Sequence, residues 1–161
     1  MGAEPFADLV AYLRARDDAE AAVAPEMRSR ALRGEPGRGA VVLLHGLTAS
    51  PPAWRAVAQA LHARGHTVIV VRLWLHGYRD RMTTALRGLS SDALVADVAA
   101  IVEQVAALGE RIMVAGHSLG ATLALDAAAR QRSARRRAVR LLTVDSCALS
   151  TMSISSACGV R

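Results

Sequence analysis

The chain has 161 residues, a length that fits one domain and leaves little room for a second. Hydrophobic residues make up 52% and charged residues 21%, a balance that argues against a disordered or low-complexity chain. Aromatic residues are only 3%, which leaves few stacking surfaces for single-stranded nucleic acid, and the net charge of +6 comes entirely from residues 130–161. We therefore expect no nucleic-acid partner.

The predicted elements alternate between helix and strand. Apolar positions at helical spacing between Phe6 and Val23 predict an N-terminal helix, and a linker rich in Gly and Pro follows at 33–39. Short apolar runs predict buried strands, with helical periodicity between them. The runs are residues 40–44, 67–71, 112–115 and 139–144. This order predicts an open, parallel α/β sheet with helices on both faces and chemistry at the carboxyl ends of its strands.

The segment Gly116-His117-Ser118-Leu119-Gly120 matches Gly-x-Ser-x-Gly and lies between a predicted strand and a predicted helix. Such a turn is so sharp that side chains two residues before and after the serine would clash, which the two glycines avoid. A chance Gly-Ser turn is the alternative, but the position between strand and helix favours a nucleophile. We predict Ser118 as the nucleophile, with Gly116, His117 and Gly120 supporting the turn.

A second turn, His45-Gly46-Leu47, follows the first apolar run at the same edge of the predicted sheet. It can direct the backbone N–H of Leu47 toward the point that the N–H of Leu119 faces, and two converging donors form an oxyanion hole. An ordinary turn is the alternative for this tripeptide alone. We expect Gly46 to support the loop, and for His45 a role in holding it is favoured over catalysis.

These two motifs, extended to Leu43-Leu44-His45-Gly46-Leu47, resemble the α/β-hydrolase superfamily, and they are similar to bacterial carboxylesterases, monoacylglycerol lipases and lysophospholipases. The segment 70–77 resembles that branch's strand ending in a Pro-Gly-His-Gly turn, although Trp74 and Leu75 stand where Pro and Gly are usual. The resemblance implies a three-layer α/β/α fold with a mostly parallel sheet, incomplete at its C-terminus. It also implies hydrolysis of small-molecule carboxylic esters through an acyl-enzyme.

The catalytic base is missing from the expected place, because this superfamily orders its catalytic residues Ser, acid, His and no histidine follows Ser118. His76, at the end of a predicted strand, is the histidine in plausible reach of Ser118 and a candidate pocket residue. His117 should point away from the position of a base. Asp145 follows the last predicted strand and is a candidate acid, with a strand-end turn cap as the alternative.

The end of the chain differs in composition from the rest. Its arginines crowd together, and such a cluster is either a solvated surface or a site for an anionic partner. They are Arg130, Arg132, Arg135, Arg136 and Arg137. Cys147 and Cys158 are too few for a disulfide framework and lack neighbouring histidines, so we expect a reducing compartment, no metal and no cofactor. Without a signal pattern or a long apolar run, the prediction is a cytoplasmic protein with no membrane span.

We expect a single domain over 1–161, with an N-terminal helix and linker at 1–39, a hydrolase core at 40–130 and an atypical Arg- and Ser-rich tail at 131–161. The change near 130–137 indicates a truncated or frame-shifted chain, and an open edge strand would allow self-association. Two functions remain. The first is a serine hydrolase of carboxylic esters acting through Ser118, and the second is an inactive fragment or binding remnant without the triad histidine.

Overall fold

The computed structural model describes residues 4–80, 82–133 and 139–143, which contain four α-helices and five β-strands. The helices are α1 (Pro5–Asp18), α2 (Arg55–His62), α3 (Ser91–Ala106) and α4 (Leu119–Ser133). The strands are β1 (Arg30–Leu32), β2 (Ala40–Leu44), β3 (Thr67–Val71), β4 (Ile112–Gly116) and β5 (Val139–Thr143). Short 3₁₀ turns occupy Pro25–Met27, Pro51–Trp54 and Ala85–Gly88.

The strands form one sheet in the order β1-β3-β2-β4-β5. Four of them are parallel to one another, and β1 pairs antiparallel with β3. The mostly parallel sheet predicted from the apolar runs is therefore confirmed, whereas the antiparallel β1 was not predicted. The last strand, β5, lies inside the segment 131–161 that the composition set apart as a tail.

The central strand β2 places the two candidate loops side by side. It pairs with β3 on one side and β4 on the other, so that Leu44 lies opposite both Val71 and Gly116. All three strands end at the same edge. The turn after β2 is thereby held between the loop that follows β3 and the turn that leads from β4 into α4.

Alternate side chains of the sheet enter two separate cores, which makes the three layers of the predicted fold. One face packs against α1, α3 and α4, and the other against α2 and the 3₁₀ turn before it. In β2, for example, Val42 and Leu44 join the first core while Val41 and Leu43 join the second. All four are buried, as a strand covered on both faces requires. No helix within the described ranges is long and apolar enough to cross a lipid bilayer.

The helix ends agree in part with the sequence patterns. Ser90 caps α3, with its Oγ accepting a hydrogen bond from the N–H of Ala93 at 3.4 Å. Gly109 follows α3 in the left-handed conformation, at φ +72°. The first helix is shorter than its apolar pattern predicted, because it ends at Asp18 and not near Val23.

A buried ion network explains why α1 ends early. Arg72, the residue after β3, has no exposed surface, and its Nε lies 2.9 Å from Oδ1 of Asp17 in the last turn of α1. Its Nη2 lies 2.7 Å from Oε1 of Glu20, just beyond the helix. Asp17 also accepts a hydrogen bond from the N–H of Ser29 at 2.6 Å. The chain must therefore leave the helix after Asp18 to bring Glu20 and Ser29 around the same guanidinium.

Replacing Asp17 by Ala should lower the free energy of unfolding by about 3 kcal/mol, because it leaves the buried Arg72 charge with one carboxylate fewer. Urea denaturation followed by circular dichroism measures this change. The matched control is Asp18→Ala next to it. Asp18 is half-exposed and pairs with Arg28 at the surface, so its loss should cost less than about 1 kcal/mol. Equal losses in both variants would show that the buried network does not anchor α1.

Candidate active site

Ser118 lies at the sharp turn from β4 into α4, with its side chain exposed. Its φ is +54°, a conformation that costs a non-glycine residue about 1 kcal/mol or more. Its carbonyl oxygen accepts hydrogen bonds from the first turn of α4, from the N–H of Ala121 at 2.8 Å and of Thr122 at 3.2 Å. The hydroxyl thus stands at the N-terminal end of a 15-residue helix, where the helix dipole favours negative charge.

The two glycines of the motif are required by close backbone contacts. A Cβ on Gly116 would lie 2.0 Å from the carbonyl oxygen of Gly120, which is the crowding that the sequence predicted across the serine. A Cβ on Gly120 would instead lie 2.2 Å from the carbonyl oxygen of Leu44, at the end of β2. The second glycine therefore lets α4 approach the neighbouring strand.

The loop after β2 lies directly against Ser118. A Cβ on Gly46 would lie 3.3 Å from Cβ of Ser118 and 3.2 Å from Nδ1 of His117. The N–H groups of Leu47 and Leu119 flank this contact along the chain, and neither donates a hydrogen bond to any group in the described part of the chain. Two unoccupied donors thus lie on the residues that the sequence predicted for an oxyanion hole.

His45 fixes the orientation of this loop through both of its ring nitrogens. Its Nε2 lies 3.1 Å from the backbone N of Leu73, which can only donate, so Nε2 carries the lone pair and Nδ1 carries the hydrogen. Nδ1–H then donates to the carbonyl oxygen of Gly46 at 2.8 Å. Because N–H and C=O point in opposite directions across a trans peptide, holding the Gly46 carbonyl also orients the N–H of Leu47.

The environment of His45 keeps its ring neutral. The ring is buried, and this desolvation lowers its pKa to about 4, with smaller contributions from His76 and Arg72 nearby. The two rings of His45 and His76 meet edge to face, with centroids 5.0 Å apart. A neutral His45 is the form that its hydrogen bond from Leu73 requires.

His76 joins the loops after β2 and β3. Its Nε2 lies 2.8 Å from the carbonyl oxygen of Leu47, and its Nδ1 lies 2.7 Å from that of Trp74. Both nitrogens are therefore directed at backbone carbonyls. Leu75, between Trp74 and His76, has φ +60°, so this loop keeps a left-handed residue at the position where the resemblance has Gly.

No histidine contacts the hydroxyl of Ser118 in the part of the chain that the structure describes. His45 and His76 are engaged as described above, and His117 lies beside Gly46 without a hydrogen bond to Ser118. The predicted acid, Asp145, lies outside the described residues. The described residues therefore provide a candidate nucleophile and candidate oxyanion donors without a general base.

The other sequence predictions meet the structure only in part. Arg130 pairs with Asp126 one turn earlier on α4, with Nε 2.6 Å from Oδ2. The remaining arginines of its cluster, and both cysteines, have no described side chains. Within residues 4–80 and 82–133, there is no group of three or more His, Cys, Asp or Glu side chains that could hold a metal ion.

The link between Arg72 and the candidate site was not predicted from the sequence. Nη1 of Arg72 donates to the carbonyl oxygen of His76 at 3.2 Å, so the ion network with Asp17 and Glu20 supports the loop that carries His76. A charged residue directly after a fully apolar strand was the signal that could have drawn attention to it. Its partners lie more than 50 positions away and could not be identified by spacing.

Lowering the pH should destabilise the fold through His45. Above about pH 6.5 the ring is neutral in both states, whereas below it the unfolded chain binds a proton that the folded chain excludes down to about pH 4. The free energy of unfolding should fall by about 3 kcal/mol across this window. Urea midpoints at several pH values, compared with those of His45→Gln, isolate the contribution. Identical pH profiles for the two proteins would contradict it.

Comparison with known proteins places this arrangement in a family. A structure of the lipolytic enzymes described as LipS and LipT, which are derived from a metagenome, is 26% identical, with a TM-score of 0.59 over 74% of this chain and 46% of its own. BorB, the type II thioesterase from the borrelidin biosynthetic cluster, is also 26% identical, with a TM-score of 0.53 over 73% of this chain and 47% of its own.

A third structure, the monoacylglycerol lipase of Paleococcus ferrophilus, shares the fold at 23% identity and a TM-score of 0.53, over 78% of this chain and 46% of its own. The chain thus spans less than half the length of each of these three structures. No curated protein sequence gives a significant match.

The sequence model of the alpha/beta hydrolase family matches residues 41–157. This range includes β2 with the loop that follows it, the turn at Ser118, and the segment 130–137 where the composition changes. Because the match covers most of the chain, and the sheet order and the two turns agree with it, this chain belongs to the alpha/beta hydrolase family.

Proposed function

We propose that this chain is a serine hydrolase of carboxylic esters that acts through an acyl-enzyme on Ser118. The observation that supports this most strongly is the local geometry of Ser118. The residue is exposed and held at φ +54° at the start of α4, and the backbone of Gly46 packs against it. A strained backbone with an exposed hydroxyl is costly for folding alone and is typical of a nucleophile.

The proposed reaction has two steps. Oγ of Ser118 attacks the ester carbonyl carbon and loses its proton to a base, and the negative charge that develops on the carbonyl oxygen is held by the N–H groups of Leu47 and Leu119. The C–O bond to the alcohol breaks, and the alcohol leaves with a proton. Water then attacks the acyl-enzyme, which releases the carboxylic acid and restores the serine hydroxyl.

Acyl esters of oxygen or sulfur are the substrate class that the similar structures support. The structures with 26% identity are described as lipolytic enzymes and as a type II thioesterase, and both descriptions name hydrolysis of an acyl group from oxygen or sulfur. An acyl-enzyme on Ser118 serves either leaving group, because the same acyl-enzyme remains once the alcohol or the thiol has left. We assign the oxygen ester as the substrate, and thioesters are the comparison to be tested.

A second candidate function is a binding remnant that keeps the hydrolase sheet without turning over substrate. The observation that favours it is that none of the described histidines contacts Ser118. A serine site without its base retains about 10³–10⁴-fold acceleration over water from oxyanion stabilisation and binding. Weak esterase activity is therefore compatible with both candidates.

Labelling with a fluorophosphonate tests the nucleophile directly. The folded wild-type chain should become covalently labelled, and Ser118→Ala should abolish the label, because the reagent bonds to an activated serine oxygen. Ser91→Ala is the matched control, since Ser91 is an exposed serine at the start of α3 and its loss should leave labelling unchanged. Intact mass spectrometry measures the adduct. A folded wild-type chain that takes up no label would refute the proposal.

Added imidazole separates the two candidates. If the chain supplies no base to Ser118, free imidazole should raise the wild-type rate of p-nitrophenyl butyrate hydrolysis severalfold above the protein-free rate at the same imidazole concentration, whereas Ser118→Ala should show only the protein-free rate. If the base lies in the chain outside the described residues, imidazole should leave the wild-type rate unchanged.

Gly46→Ala should reduce the rate of labelling by about 10²-fold, because its Cβ would press on Ser118 and His117 and move the N–H of Leu47. The effect on the free energy of unfolding should stay near 1 kcal/mol, since the contacts of 3.2–3.3 Å can relax. Gly37→Ala is the control: its left-handed φ of +82° strains an alanine, but Gly37 has open space around it and lies far from Ser118 in sequence, so labelling should stay unchanged. A Gly46→Ala protein that labels as fast as the wild type would exclude Leu47 as an oxyanion donor.

A further inference from the structure

Trp74 is a large apolar side chain left exposed at the same edge of the sheet as Ser118. Of the two tryptophans, Trp54 is 4% exposed in the core under α2, whereas Trp74 is 43% exposed in the loop after β3. With aromatic residues at only 3% of the chain, an indole in solvent is an uncommon use of such a residue here. A single exposed apolar residue is common, whereas a contiguous apolar patch marks a ligand or partner surface, so the neighbours of Trp74 decide its role.

The ring of His76 fixes Trp74 relative to Leu47. One buried imidazole contacts the carbonyl oxygens of both residues, at 2.7 and 2.8 Å, so the backbones of the two loops are held at a set distance. Leu47 is also 43% exposed. The result is a pair of exposed apolar side chains, which we call the Leu47–Trp74 rim.

The rim begins beside the reacting atom and extends away from it. Gly46, the neighbour of Leu47, lies beside Ser118, and β3 lies two strands away from β4 across β2. Two strand spacings correspond to roughly 9.5 Å. A group bound to Oγ of Ser118 would therefore meet Leu47 first and Trp74 farther on.

Beyond Trp74 the apolar surface continues to the start of α3. A crevice of about 30 Å³ opens there, which is the volume of one small group. It is lined by Trp74, Leu75, Gly88, Leu89, Ser90 and Leu94. The oxygen of Ser90 is already used to cap α3, so the side chains of this crevice offer a ligand an almost wholly apolar environment.

We propose that Trp74 is a specificity-determining residue, and that the Leu47–Trp74 rim binds the aliphatic acyl chain of the substrate. This inference rests on the proposed function, because the acyl carbonyl is placed at Ser118. Its consequence is a preference for medium-length acyl groups, which reach the indole, over acetyl groups, which do not. This chain has Trp74 at the position where the hydrolases that it resembles usually have Pro, so the preference for medium-length acyl groups is a property of this sequence.

An ester series tests the rim. The ratio of kcat/KM for p-nitrophenyl octanoate to that for the acetate should be high in the wild type, since each fully buried methylene contributes about fourfold. Trp74→Ala should lower that ratio about tenfold or more. Leu125→Ala is the matched control, because Leu125 is a similarly exposed apolar residue on α4, and it should leave the ratio unchanged. An unchanged ratio in Trp74→Ala would overturn the inference.

Tryptophan fluorescence provides a readout that needs no turnover. In Trp54→Phe the sole tryptophan is Trp74, and the substitution removes no hydrogen bond, because Nε1 of Trp54 has no partner among the described residues. Sodium decanoate should shift the emission of this variant to the blue in a saturable way, while acetate should not. An emission spectrum that decanoate leaves unchanged would contradict binding at Trp74.

The two experiments distinguish the failure of each proposal. Labelling at Ser118 combined with an acyl preference independent of Trp74 would keep the hydrolase and remove the rim. A saturable decanoate shift in a chain that takes up no fluorophosphonate would keep the apolar binding surface and remove the reaction.

Discussion

The guanidinium of Arg72 is fully buried at the carboxyl end of β3. Asp17 and Glu20, from the N-terminal part of the chain, compensate its charge. An uncompensated charge there would cost several kcal/mol, so the path of the first 30 residues is constrained by this one group. The same guanidinium holds the carbonyl of His76. These contacts join the N-terminal helix, the edge of the sheet and the loop that supports the candidate oxyanion donors into one hydrogen-bonded unit. A local change at α1 can therefore reach Leu47 through Arg72 and then His76.

The candidate site itself is defined more by backbone than by side chains. Glycines at 116 and 120 allow contacts that any Cβ would block, Ser118 adopts a left-handed conformation, and the proposed oxyanion donors are N–H groups. A site of this kind depends on the register of β2 and β4, since a slip of one residue would separate Gly46 from Ser118. The neutral ring of His45 stabilises this register at the carboxyl end of β2, because it joins the loop after β2 to the backbone after β3. Polar groups buried at this edge thus specify geometry, while the two apolar cores supply most of the stability.

Local patterns in the sequence were sufficient for the central part of this fold. The short apolar runs predicted the strands of the parallel sheet, and the Gly-x-Ser-x-Gly segment predicted the turn at Ser118, because both depend on sterics and burial within a few residues. The short strand β1 was not predictable, since Arg30–Leu32 carries no alternation and forms only against the edge of β3. The end of α1 was misjudged for a related reason: Asp17 is drawn into contacts with Ser29 and Arg72, which local periodicity does not reveal. The roles of both His45 and His76 as links between loops likewise required the three-dimensional arrangement.

Leu75 gives this edge of the sheet a property that a glycine would not. A leucine at φ +60° is held in a conformation that the free chain rarely visits, so the shape of the loop is imposed by its neighbours, in particular by the His76 ring, which contacts the carbonyl oxygens of Trp74 and Leu47. The stability of such a loop is thermodynamically linked to the binding of any molecule that contacts it. A molecule that rests on Trp74 would add its binding free energy to the contacts that hold Leu75 in place, and the loop would become more ordered as the ligand binds. Recognition and local folding at this edge would then be two aspects of a single equilibrium.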